Sequence, residues 1–131
     1  MRLAAEFGHA DVTSELQALA RASGVRTGVL TVQILGSTGA ITTIEYEAGA
    51  LSDLRRTLEV LAPVDADYAH NARWGDGNGF SHVRSALLKT SLSLPVMDGE
   101  LMVGTWQQVV ALNLDNRERE RELVAVLVGS P

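Results

Sequence analysis

Asp76-Gly77-Asn78-Gly79-Phe80-Ser81-His82-Val83-Arg84-Ser85-Ala86-Leu87-Leu88 is the stretch on which the reading of this chain turns. Two glycines let the backbone take positive φ or approach a neighbour closely, and Asp76 and Asn78 set short polar side chains between them. From Ser81 the pattern becomes amphipathic, with Val83, Ala86 and Leu87 on one helical face and His82, Arg84 and Ser85 off it. Ser81 reads as an N-cap, so a polar loop feeds the positive end of a short helix, where an anion is favoured. A tight turn capping a surface helix, with His82 and Arg84 solvated, fits the same residues.

Residues 64–80 carry no periodicity but do carry Asp65, Asp67, Tyr68, His70, Asn71, Arg73, Trp74, Asp76 and Asn78. A loop this long in a small domain is functional or disordered, and its aromatics and histidine argue for order. Before it, Gly49-Ala50 opens a helix with Leu51, Leu54, Leu58 and Leu61 on one stripe, ended by Pro63. Arg26 to Leu35 and Ala40 to Glu47 read as strands. Gly36-Ser37-Thr38-Gly39 between them is either a hairpin turn or a hydroxyl-lined loop for an oxyanion. At the start, Met1 to His9 suggests a short strand. Asp11 then caps a helix through Val12, Leu16, Leu19 and Ala20, which Gly24 closes.

Downstream, Leu92, Leu94 and Val96 alternate, Asp98-Gly99 signals a type I′ hairpin, and Pro95 marks an edge or a bulge. Thr105 to Leu114 reads as a strand with Trp106, a core indole or a ring-stacking surface, on the face of Val110 and Leu112. Gln107 falls on the opposite face. Arg117 to Glu122 reads as a solvated strand start with cross-strand ion pairs. Leu123 to Val128 is apolar on both faces, as in a strand covered on both sides by a second sheet or a neighbouring subunit. Two longer helices, one short helix and about seven strands make an α+β fold with a largely antiparallel sheet.

With 131 residues and 46% hydrophobic content, the chain is expected to form one domain over 1–131 with a sizeable core. No apolar run approaches the roughly 18 residues of a membrane span, and no basic-then-apolar signal opens the chain, so a cytoplasmic protein is expected. Without cysteine there is no disulfide, thiolate metal site or thiol nucleophile, and any metal must rest on carboxylates and the three histidines. A net charge of −5 argues against a nucleic-acid partner. Ten arginines against one lysine suit bidentate grip on phosphate or carboxylate, and genome base composition produces the same bias.

The stretch from Asn78 to Leu88 resembles the asparagine, His-x-His and Leu/Val-Arg/Lys-Ala-Ser-Leu-Leu run of the YjbQ-like family. Asp11-Val12-Thr13, Thr38 to Glu45, Pro95 to Leu101 and Gly104 to Gln108 are similar to further motifs of that family, in the family's order. The resemblance implies packed antiparallel β-sheets with two to three helices, assembled as a homotrimer with sites near subunit boundaries. It also implies a weak secondary thiamine-phosphate synthase activity, joining a pyrimidine diphosphate to a thiazole phosphate. Gly36 and Phe80 stand where the family has histidine, and Lys89-Thr90 where it has Gly-Pro.

On that reading Glu45, His82 and Arg84 are catalytic, while Ser37, Thr38, His70, Asp76, Asn78 and Gln107 hold a small phosphorylated ligand. His70 and His82, with Glu45 or Asp76, would hold a divalent metal such as zinc. Two other functions fit the same residues: a trimeric ligand-binding or scaffold protein with a degenerate site, and a phosphate-ester hydrolase.

Overall fold

In the computed structural model, which describes residues 1–131, three antiparallel sheets and four helices make an α+β fold. The chain runs β1 (Arg2–Leu3), β2 (Gly8–Asp11), α1 (Thr13–Ser23), β3 (Thr27–Ile34), β4 (Gly39–Ile44), α2 (Ala48–Leu61) and α3 (Ala69–Trp74). It continues with α4 (Gly79–Leu88), β5 (Ser91–Met97), β6 (Glu100–Leu101), β7 (Gln108–Asn113), β8 (Arg119–Glu120) and β9 (Leu123–Ser130). The sheets are ordered β6-β5-β3-β9, β2-β7-β4 and β1-β8. No helix is long and apolar enough to cross a membrane.

The two larger sheets pack face to face. Leu30, Val32, Ile34, Leu94 and Val96 meet Ile41, Val109 and Ala111 of the three-stranded sheet, and Leu16 and Ala20 of α1 close the layer. The far side of the three-stranded sheet presents Ala40, Val110 and Leu112 to Leu51 and Leu58 of α2. Leu58, 2% exposed, contributes about 1.5–3 kcal/mol by that burial. Because β7 serves both layers, it is the strand buried on both faces.

For Leu123 to Val128 the expected cover does not come from a second sheet of the same chain. Within the chain β9 is a sheet edge whose Val124, Val126 and Val128 stay 44%, 56% and 69% exposed. Gly36 to Gly39 is not a hairpin turn either, since it carries the chain from the four-stranded sheet into the three-stranded one. Met1 to His9 divides into two strands around a turn at Glu6, whose φ is 68°. Leu61 leaves the α2 stripe and is 63% exposed. The aperiodic segment contains α3, too short to show a period. Asp98-Gly99 forms the expected hairpin, with φ of 52° and 78°, as a type I′ turn requires.

The largest inversion is in α4. Its expected apolar face lies outward, with Val83 40% and Leu87 55% exposed, while Phe80, Ser81, Arg84 and Ser85 are buried. The polar members of the buried face all have partners. Ser81 Oγ donates to Asn78 O and Ser85 Oγ to Gly39 O, each at 2.5 Å. Arg84 Nε donates to Ala62 O at 2.9 Å and its Nη2 to Glu59. Satisfied polar groups can occupy an interior as well as apolar ones, which hydrophobic periodicity does not register.

Candidate functional site

A cleft of about 460 Å³ opens where the loop after β3, the segment from α3 to α4 and the region around β8 converge. Gly36, Ser37, Thr38, His70, Trp74, Asp76, Asn78, His82, Arg119 and Arg121 line it. Six of the nine expected site residues therefore come together: Ser37, Thr38, His70, Asp76, Asn78 and His82.

The wall is set by Asp115, which is fully buried. Its Oδ2 accepts from Thr38 Oγ1 and Arg119 Nε, each at 2.9 Å, and its Oδ1 from the Asn116 amide at 2.8 Å and Asn78 Nδ2 at 3.3 Å. Burial by itself would raise its pKa. The hydrogen bonds from Thr38, Arg119, Asn78 and Asn116 outweigh burial and hold the carboxyl below its ordinary value.

Arg121 stands beside this carboxylate without pairing to it. Its Nη2 donates to Thr38 Oγ1 and to Asn113 Oδ1, both at 2.7 Å, and Nε, though buried, has no partner. Arg121 forms no salt bridge, the carboxylate of Asp115 being engaged by Arg119 at 2.9 Å. Burial lowers the Arg121 pKa, Asp115 opposes that and Arg119 adds to it. Gly36 makes room for the guanidinium: its φ is 106°, and a Cβ there would stand 2.8 Å from Arg121 Nη1.

In the same cleft the rings of His70 and His82 lie 4.3 Å apart at their centroids, tilted by 41°. His70 Nδ1 is 3.4 Å from Asp76 Oδ1 and makes no hydrogen bond. The pKa of His82 is lowered, first by desolvation and then by His70, against smaller opposing effects of Asp115 and Asp76. The shift favours the neutral ring.

The other three expected residues lie elsewhere. Arg84, 2% exposed and paired to Glu59, has its guanidinium 5.0 Å from the Phe80 ring centroid and is closed to a ligand. Glu45 lines a separate cleft with Asp11, Tyr46, Glu47, Thr105, Trp106 and Gln108. Trp106 is there 74% exposed rather than a core indole, because β7 begins only at Gln108. Gln107 folds back on its own turn, its Oε1 accepting from Gly104 N at 3.0 Å. The helix starts at Gly79 rather than after Ser81, and the amide of Gly79 donates to Asn71 Oδ1 at 2.8 Å. Asp115, Arg119 and Arg121 are the members that sequence reasoning missed. Asp115 reads as part of a turn, and Arg119 and Arg121 as part of a solvated strand start, but β8 comprises only Arg119–Glu120, and Arg121 turns inward.

These residues do not fit a three-ligand zinc centre. His70 and His82 meet, and Asp76 Oδ1 lies 3.4 Å from His70 Nδ1, yet the three do not converge as a group that could hold a metal ion, and Glu45 is in the other cleft. Two guanidiniums on the wall oppose a divalent cation and favour an anion.

The model of the UPF0047 protein YjbQ-like family matches residues 1–130. This chain belongs to the YjbQ-like family. A UPF0047 protein of Methanothermobacter thermautotrophicus is 41% identical over 121 residues, covering 92% of this chain and 82% of that protein. One from Archaeoglobus fulgidus is 32% identical over 117 residues, covering 89% of each. Among solved structures, a YbjQ-like protein of unknown function from Sulfolobus solfataricus superposes with a TM-score of 0.88 at 25% identity, over 99% of this chain and 94% of that one. A conserved hypothetical protein of Thermus thermophilus gives 0.80 at 27%, over 98% of both chains. In this YjbQ-like protein Phe80 is fully buried beneath Arg84, so its ring belongs to the α4 packing and not to the cleft.

Proposed function

We propose that this is a cytoplasmic protein whose cleft binds the phosphate of a small phosphorylated molecule. The observation that carries the reading is Arg121: a guanidinium 6% exposed, held by two neutral oxygens, with no carboxylate paired to it. An uncompensated buried charge is costly, and a bound anion would complete the pair. Arg119 adds a second cation, Ser37 and Thr38 add hydroxyls, and His70 and His82 stand ready to donate.

The reaction we assign to it is the one the resemblance implies, formation of thiamine phosphate. The thiazole nitrogen attacks the pyrimidine methylene, a C–N bond forms, and the C–O bond to the diphosphate breaks. Pyrophosphate leaves with the electron pair. Such a step needs stabilisation of the departing anion, which Arg121 and Arg119 would supply. We also propose self-association into the homotrimer, supported by the exposed valines of β9 and the outward apolar face of α4.

The test is incubation of the protein with the two thiamine precursors, following pyrophosphate release and the product mass, with native mass spectrometry for the assembly. Thiamine phosphate formed at a rate lowered by Arg121→Met supports the reading. Phosphate binding without turnover leaves a ligand-binding protein.

A further inference from the structure

A phosphate alone does not account for the cleft. Its volume of about 460 Å³ lies in the range of small-molecule sites, roughly 300–1,000 Å³, well beyond what one phosphate fills. Part of the space is walled by Trp74, an indole 67% exposed. A side chain that would gain much from burial is instead held open at the mouth of the site.

Its placement is built. His70 and Trp74 are four residues apart on α3 and so share one face of the helix, which brings both rings to the same cleft. Gly75 ends α3 in the left-handed region at φ 72°, its N–H donating to Asn71 O at 2.8 Å, so the backbone turns away directly after the indole. Asn71 Oδ1 in turn accepts from Gly79 N at 2.8 Å. A Cβ on Gly79 would come within 2.5 Å of Tyr68 Cβ, which shows how closely α3 and α4 are fitted. The guanidinium of Arg73 lies 5.5 Å from the indole centroid and backs the ring as a cation–π partner.

We propose that Trp74 is the stacking platform for a planar ring carried beside the phosphate, so that the occupant of the cleft is an aryl or heteroaryl phosphate. The inference rests on reading the cleft as a phosphate site, and adds to it a residue that determines specificity. Arg121 and Arg119 take the phosphate, and Trp74 selects the group attached to it. Aromatic platforms accept flat π-systems of many kinds, so the selection is for ring against alkyl and not for one particular ring.

Methyl phosphate and phenyl phosphate, which share the phosphate and differ in the ring, separate the two contributions. Titration calorimetry on the full chain should show phenyl phosphate binding roughly tenfold tighter than methyl phosphate, the lower part of what one stacked ring provides. Trp74→Ala should erase the preference and leave methyl phosphate unchanged, while Trp74→Phe keeps most of it. The exposed position predicts unchanged melting temperatures, which circular dichroism checks. Equal affinity for the two compounds, or a preference that survives Trp74→Ala, overturns the stacking role while the phosphate site stands. No binding of either compound overturns the phosphate site and the stacking role together.

Discussion

Arg121 Nη2 donates to Thr38 Oγ1 at 2.7 Å, and that hydroxyl donates onward to Asp115 Oδ2 at 2.9 Å. The guanidinium is thus connected to the buried carboxylate through a neutral relay, while Arg119 takes the direct ion pair. Thr38 orients the cation without neutralising it, and one cationic group is left for a ligand.

Asp115 should govern acid stability. Its folded pKa is depressed, so its contribution is complete above the unfolded carboxyl value and is lost as pH falls through the folded one. Urea midpoints should therefore drop below about pH 4. Asp115→Asn should flatten that drop and cost about 1.5–3 kcal/mol at pH 7, because Thr38 and Arg119 lose a charged acceptor while Arg119, 35% exposed, stays solvated.

Gly36→Ala should damage fold and site together. A side chain at φ 106° is strained by about 1–3 kcal/mol, and its Cβ would press on Arg121 Nη1 from 2.8 Å. The expected outcome is a lower melting temperature with weakened phosphate binding. Full phosphate affinity in a folded Gly36→Ala protein would show that Nη1 takes no part.

Arg84→Met separates structure from site. Removing the buried donor to Ala62 O should lower stability by about 1–3 kcal/mol, since that carbonyl is left unsatisfied while Glu59, 52% exposed, is rehydrated. Phosphate affinity of the folded fraction should not change, because Arg84 is sealed under α4. Calorimetry beside urea unfolding checks both halves.

How much of this could be read from the sequence differs by element. The hairpin at Asp98-Gly99, the cap at Gly24 and the α+β class follow from local chemistry, where residue type decides the backbone. Ser37, Thr38, His70, Asp76, Asn78 and His82 were legible as one group because motif order placed them, and the fold brings them to one cleft. Arg121 was not legible. Alternating arginine and glutamate fixes which residues share a strand face, not which face turns inward, and β8 is too short to impose that alternation. The reversal of α4 has the same origin: Arg84 and Ser85 are buried because Glu59, Ala62 and Gly39, distant in sequence, satisfy them.

Protonation of His82 should couple to the site. Desolvation and His70 lower its pKa, so the unliganded protein should lose stability as pH falls below about 6.5, where the unfolded chain binds the proton more readily. Phosphate favours the protonated ring, so affinity should rise over the same interval. His82→Gln should remove both slopes, as thermal melts with and without phosphate would show.

The most direct measurement is titration calorimetry of inorganic pyrophosphate into the wild-type chain and Arg121→Met, with melting curves to confirm that both are folded. The account predicts one site per chain in the wild type and an affinity at least about tenfold lower in the variant, the share of a charge-assisted hydrogen bond. A folded Arg121→Met protein that binds pyrophosphate as tightly as the wild type, or a wild type that does not bind it, would contradict the account.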